Sequence, residues 1–239
     1  MTEAEWLTCS HPKLMLEFLE RKASNRKLRL FVCACCRRIW QLLPPELQAG
    51  VEVSERYADG QATAAERGAA FTRSEGVTLA IYSGGRSPDA LAYATNSAAE
   101  CAGEDSGTLP PTLSAASTAA NAAALAAAEA LAAEMGDDHD FDSTVDSVYG
   151  SEVAIQSSIV RDVFGNPFRP VAIERSWLST AVVSLAQIIY DERAFDNMPE
   201  LADALEETGC TNSDILEHCR GSGPHVRGCW VIDLLLRKE

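Results

Sequence analysis

The chain has 239 residues, 46% of them apolar and 23% charged, enough apolar matter for one large core or two small ones without covalent staples. Its formal charge of -15 is unevenly spread: residues 1–40 carry eight Lys/Arg against four Asp/Glu, and residues 41–239 carry twelve against thirty-one, so the two parts stand at +4 and -19. An acidic body of that size repels phosphate backbones and anionic lipid, which argues against nucleic-acid or membrane binding over the main surface and leaves only the basic N-terminal segment open to it.

The opening MTEAEWLTCSHPK has no cationic run followed by a continuous apolar stretch, and no later segment reaches the roughly 18 apolar residues of a membrane span. The expectation is a cytoplasmic protein without membrane contact. Its eight cysteines are then expected to be reduced thiols rather than a disulfide framework.

In chain order, Thr2 with Glu5 forms a capping box, and Ser10 ahead of Pro12 reads as an N-cap with proline in the first turn, so two short helices open the chain. Leu28, Phe31, Val32, Cys35, Ile39 and Leu42 recur at helical spacing and predict a helix over 25–43, ended by Pro44-Pro45. Helices follow at 46–58 and, behind a second capping box of Thr63 and Glu66, at 64–80 up to Ser83-Gly84-Gly85. Ser87-Pro88 restarts a helix to about Cys101, Gly103 to Pro111 reads as a loop, and the Ala-rich residues 112–134 form a helix whose small side chains permit close approach.

Residues 136–150 read as an acidic connector. Beyond it, helices are expected at 144–163 with Gly165 as the C′ residue, then at 176–193, 199–208 with Gly209 as C′, 213–219 and 225–237. Arg169-Pro170-Val171-Ala172-Ile173 is the one extended candidate, and its flanking prolines make it a linker or an edge piece. The fold class is therefore all-α, an irregular bundle of about nine to ten helices. The chain is expected to form a single helical domain over 1–239, sub-divided into 1–135, the connector 136–150 and a C-terminal module 151–239.

The densest chemistry lies at the C-terminus, where Cys210, His218, Cys219, His225 and Cys229 fall within twenty residues. Zinc takes four nitrogen or sulfur ligands in a tetrahedron, and a helix over 225–237 would set His225 and Cys229 at i and i+4 on one face. The alternative is plainer: Cys219 and Cys229 are small buried apolar residues and His225 caps its helix. No Cys-x-x-Cys knuckle is present. In Cys33-Ala34-Cys35-Cys36, Cys33 and Cys36 share a helical face, which suggests core packing or a site shared with His225 and Cys229.

Other candidates are weaker. Cys36 beside Arg37 and Arg38 is the thiol placed for activation, but no oxyanion-donor turn accompanies it. Asp138 to Asp146 begins like a calcium loop and then places Ser143 where glycine is required and Tyr149 where the bidentate glutamate belongs. Arg26, Lys27, Arg29, Arg37 and Arg38 form the one basic patch, a candidate interaction surface that an acidic partner within the chain would explain equally well.

The strings MTEAEWL, RKASNRKLRLFVCACCRRIW, FGNPFRPV, IYDERAFDNMPELADALEETGC and HCRGSGPHVRGCWVIDLLL together resemble a paralogous family of bacterial proteins abundant in planctomycetes. The resemblance covers about residues 1–60 and 156–239 and implies an architecture in which the two ends pack on each other while the Ala-rich middle varies. It implies no activity. Arg169, behind Phe164-Gly165-Asn166-Pro167-Phe168, is expected to fasten the join by pairing with an acidic group such as Asp191 or Asp203.

The functional expectation is a non-enzymatic protein-interaction or scaffold module with a protein partner and no required cofactor. The alternative is a zinc-stabilised helical regulatory protein using the C-terminal cluster, and the third reading is a thiol-dependent enzyme.

Overall fold

A computed structural model describes residues 1–20, 22–83, 90–103, 109–135 and 140–238. The described residues are all-α, with twelve α-helices and no strand. They are α1 (Glu3–Thr8), α2 (Pro12–Leu19), α3 (Asn25–Arg38), α4 (Pro45–Ala58), α5 (Ala64–Ser83), α6 (Ala90–Ala102), α7 (Leu109–Met135), α8 (Phe141–Phe164), α9 (Thr180–Glu192), α10 (Met198–Glu207), α11 (Ser213–Arg220) and α12 (Trp230–Leu236). Each falls on one of the segments expected above, the two short opening helices included, so the twelve exceed only the overall expectation of nine to ten.

Local sequence sets most of these boundaries. Thr2 and Glu5 exchange the reciprocal bonds of a capping box at 2.7 and 3.3 Å, and Thr63 with Glu66 repeats them at 2.8 and 3.2 Å. The α2 cap is His11 rather than Ser10, because Pro12 occupies the first helical position. Helix α3 stops at Arg38, short of the expected Leu43. Pro44 holds Leu43 extended, and the Gln48 amide donates to the carbonyls of Trp40 and Leu43, which therefore need no helical partner. Helix α9 starts at Thr180 because the Ser179 hydroxyl accepts from the Val182 N–H, behind a 3-10 turn over Arg175–Trp177. The restart at Ser87-Pro88, most of the Gly103 to Pro111 loop and residues 136–139 of the acidic connector lie outside the described residues, while 141–150 are helical.

The chain divides into two compact units, Cys9–Ser157 and a smaller one made of Met1–Thr8 with Ser158–Glu239, the division falling inside α8. In the larger unit, α3 buries an almost unbroken run from Leu28 to Cys36, and α6 and α7 meet through fully buried alanines such as Ala94, Ala98, Ala115 and Ala122. Side chains that small let helix axes come close, so the Ala-rich stretch is a packing surface rather than a filler.

The smaller unit builds its own core from Val182, Ile189 and Tyr190 of α9, Met198, Leu201 and Leu205 of α10, Ile215 and Cys219 of α11, and Val231, Ile232 and Leu235 of α12. The N-terminal α1 is fastened into this unit. Its Glu3 carboxylate accepts from the Asn166 amide at 2.8 Å and pairs with Arg169 at 2.6 Å. Arg169 thus meets Glu3, with Asp214 at 3.8 Å, and not the expected Asp191 or Asp203. Those two are taken locally: Asp191 accepts from Gln187, four residues earlier on α9, and Asp203 from Arg220 of α11.

Candidate metal centre

Four elements of the smaller unit bring one potential ligand each to a single point. Asp162 comes from the last turn of α8, His218 from α11, His225 from the loop that follows it, and Cys229 from the residue that caps α12. Their ligand atoms all lie within 4.8 Å of one another. His218 Nε2 stands 3.1 Å from Cys229 Sγ and 3.2 Å from Asp162 Oδ1, and His225 Nδ1 donates to that same oxygen at 2.8 Å. Two ligands of a tetrahedral zinc ion lie about 3.3 Å apart when both are nitrogen or oxygen and about 3.6 Å when one is sulfur, from bond lengths of roughly 2.0–2.3 Å. Each of the three separations lies within about an ångström of those values.

The loop geometry explains why His225 and Cys229 are not the helical pair expected from their spacing. Residues 221–229 are not helical. The second oxygen of Asp162 accepts the Val226 backbone N–H at 2.9 Å, so carboxylate, imidazole and main chain hold this stretch in place. A turn bond from Cys229 N–H to the Val226 carbonyl and a left-handed Gly228 at φ 95° then redirect the chain into α12 only at Trp230. Gly228 is the residue that meets this φ without a Cβ clash.

Burial is deep on the sulfur side. Cys229 is fully buried and belongs to the apolar core, Asp162 is 3% exposed, and the His218 side chain is 18% exposed. A buried carboxylate is costly unless hydrogen-bonded and paired, and Asp162 has three donors around it. Burial alone would push its pKa up, but the bonds and charges of His218 and His225 prevail and hold it below the ordinary carboxylate value. His225 mirrors it: burial pushes its pKa down, and the Asp162 bond and charge, with the Gly221 backbone, more than offset this and leave it raised. Burial, then the neighbouring Asp162 charge, pushes the Cys229 thiol well up, so a thiolate there needs a bound cation.

Of the five residues the sequence offers as ligands, three converge and two do not. Cys210 and Cys219 are buried in the apolar core and stand outside the group. Burial, with the charge of Asp162, pushes the Cys219 thiol up to about 12. Asp162 was missed. It lies 63 residues before His225, and its only sequence signal is an acidic side chain set between Ile159, Val160 and Val163 on an otherwise buried flank of α8.

Cys33 and Cys36 do not join the centre either. In the larger unit, Cys33 Sγ meets Cys101 Sγ at 3.3 Å and Cys36 Sγ meets the Ser97 hydroxyl at 3.4 Å. All eight cysteines are free thiols. The basic patch is engaged within the same unit: Arg26 pairs with Asp59 at 3.0 Å, Arg37 bidentately with Glu55, and Arg38 with Glu152 at 2.6 Å. Arg29 is 5% exposed and donates to the carbonyls of Cys101 and Gly103, while Lys27, two residues earlier, is half-buried. No helix among the described residues is long and apolar enough to cross a membrane.

No protein-family model, no curated protein and no solved structure matches this chain. Its functional reading therefore comes from the convergence of Asp162, His218, His225 and Cys229.

Proposed function

We propose that the smaller unit is a zinc-stabilised helical module and that the chain works as a non-enzymatic interaction protein presenting it to a protein partner. The observation that carries this reading is the meeting of one carboxylate, two imidazoles and one thiol from α8, α11, the following loop and the start of α12 within 4.8 Å. Two nitrogens, one oxygen and one sulfur form a donor set of intermediate softness, which suits zinc better than the all-oxygen cations magnesium and calcium. An ion there would tie the loop to α8 and α11, adding a cross-link to the unit's apolar core.

The raised pKa values of Cys33, Cys35, Cys101, Cys219 and Cys229, each with burial among its causes, are the opposite of what a nucleophilic thiol requires. The engaged arginines and the acidic body favour a protein partner over nucleic acid.

The test is elemental analysis of protein purified without a metal-binding tag, with thermal melts before and after chelation. About one zinc per chain and a lowered melt after chelation support the reading. No metal and an unchanged melt overturn it.

A further inference from the structure

Resting on that metal reading, we infer that the ion keeps one face open and takes a small monocarboxylate as an exchangeable ligand. The four protein ligands are not distributed evenly around the point where they meet. Cys229 lies on the core side, fully buried. Asp162, His218 and His225 instead line a cavity of about 390 Å³. Cys229 is not among the residues of that cavity, and of the three ligands that line it the His218 side chain is 18% exposed against 8% for His225 and 3% for Asp162, so the open face lies on the His218 side. A sealed structural zinc site has no such face, whereas a site that binds an outside ligand must have one.

The walls say what would enter. The cavity is also lined by Arg161, Glu217, Ser158 and Leu7. A second cavity of about 370 Å³ is also lined by His218 and shares Leu7, Arg161 and Glu217 with the first. One carboxylate and one thiolate neutralise a dication, and Arg161 and Glu217 cancel each other, so the lined space carries no net charge. A dianion such as phosphate would face both Glu217 and Asp162 with too little positive charge. A monoanion fits the balance: one carboxylate oxygen reaches the ion and the other meets the Arg161 guanidinium, whose planar fork matches a carboxylate. Leu7 gives such a ligand's carbon end an apolar contact.

The experiment uses the full chain loaded with cobalt(II), whose thiolate charge-transfer band reports binding through Cys229 and whose visible ligand-field bands report coordination number. Acetate is the first probe and inorganic phosphate the second. The expected result is a saturable change in the ligand-field bands with acetate, none with phosphate at the same concentrations, and a retained charge-transfer band. Arg161→Ala is expected to weaken acetate about tenfold, the loss of one hydrogen bond to a charged group, with cobalt affinity unchanged. Arg161→Lys, which keeps the charge and loses the fork, should fall between the two. Ligand-field bands that ignore acetate overturn the open face, and bands that respond to phosphate instead overturn the carboxylate assignment. Failure of the underlying metal reading looks different, since no thiolate band then forms at all.

Discussion

The indole of Trp230 lies against the backbone of Gly165, so close that a Cβ on that glycine would stand 3.1 Å from the indole Cγ. The same ring sits 5.2 Å from the His218 imidazole, centroid to centroid. The residue that follows α8 thus seats the residue that begins α12, and the indole in turn backs one candidate ligand. Gly165 also holds φ 66°, a conformation that costs an L side chain about 1–2 kcal/mol. Gly165→Ala is therefore expected to destabilise the smaller unit by about 2 kcal/mol, conformation and clash together, read as a lower urea midpoint with an unchanged slope. A loss no larger than the conformational cost alone would show that Trp230 moves aside.

The cysteines of the smaller unit should separate sharply. Cys229→Ser and Asp162→Asn are expected to bring bound metal well below one ion per chain, whereas Cys210→Ala and Cys219→Ala retain it and lose only packing. Deleting a buried methylene-sized group costs about 1 kcal/mol, so the latter two should melt a few degrees lower without a change in stoichiometry. Metal loss in the Cys219 variant would place the wrong thiol in the centre.

Stability of the chelated protein should have a window in pH. Asp162 sits below its ordinary value of 3.8, so its contribution is present above that value and fades as acid reaches the lowered one. His225 sits above its ordinary value of 6.5, so its contribution is present below 6.5 and fades as pH rises through the raised value. The metal-loaded protein behaves oppositely on the alkaline side, because ligands must be deprotonated to bind. The drop in melting temperature caused by chelator is accordingly expected to be larger at pH 8 than at pH 6. An equal drop at both would show that the ion binds elsewhere.

The N-terminal arginines are expected to act on stability and not on nucleic-acid binding. Arg37 donates to both oxygens of Glu55 at 3.2 and 2.8 Å, with the Glu55 side chain 3% exposed and the Arg37 side chain 25% exposed. Removing Glu55 takes both bonds from Arg37, and the partial exposure of Arg37, with Glu52 at 3.9 Å and the Trp40 ring beneath it, softens the cost. Glu55→Ala should cost about 2 kcal/mol in chemical denaturation. Fluorescence anisotropy with a duplex DNA should show no binding at physiological salt for the parent, and tight, salt-sensitive binding would return these arginines to the role of an interaction surface.

The sequence alone determined the all-α character and most helix positions, because caps and periodicity act over a few residues. Thr2 with Glu5, Thr63 with Glu66 and the left-handed Gly165 and Gly209 sit where local rules put them. It also gathered His218, His225 and Cys229 into one short stretch. It offered Cys210 and Cys219 on equal terms with them, since spacing along a chain does not tell which face of a helix turns to the core. Tertiary structure alone made the choice. It brought Asp162 from α8 across 64 residues to the Val226 N–H, held the loop out of the expected helix, and gave Arg169 to Glu3 of α1. Those outcomes depend on which distant groups satisfy a buried carboxylate and a free guanidinium, and that competition is settled only when the whole unit has packed.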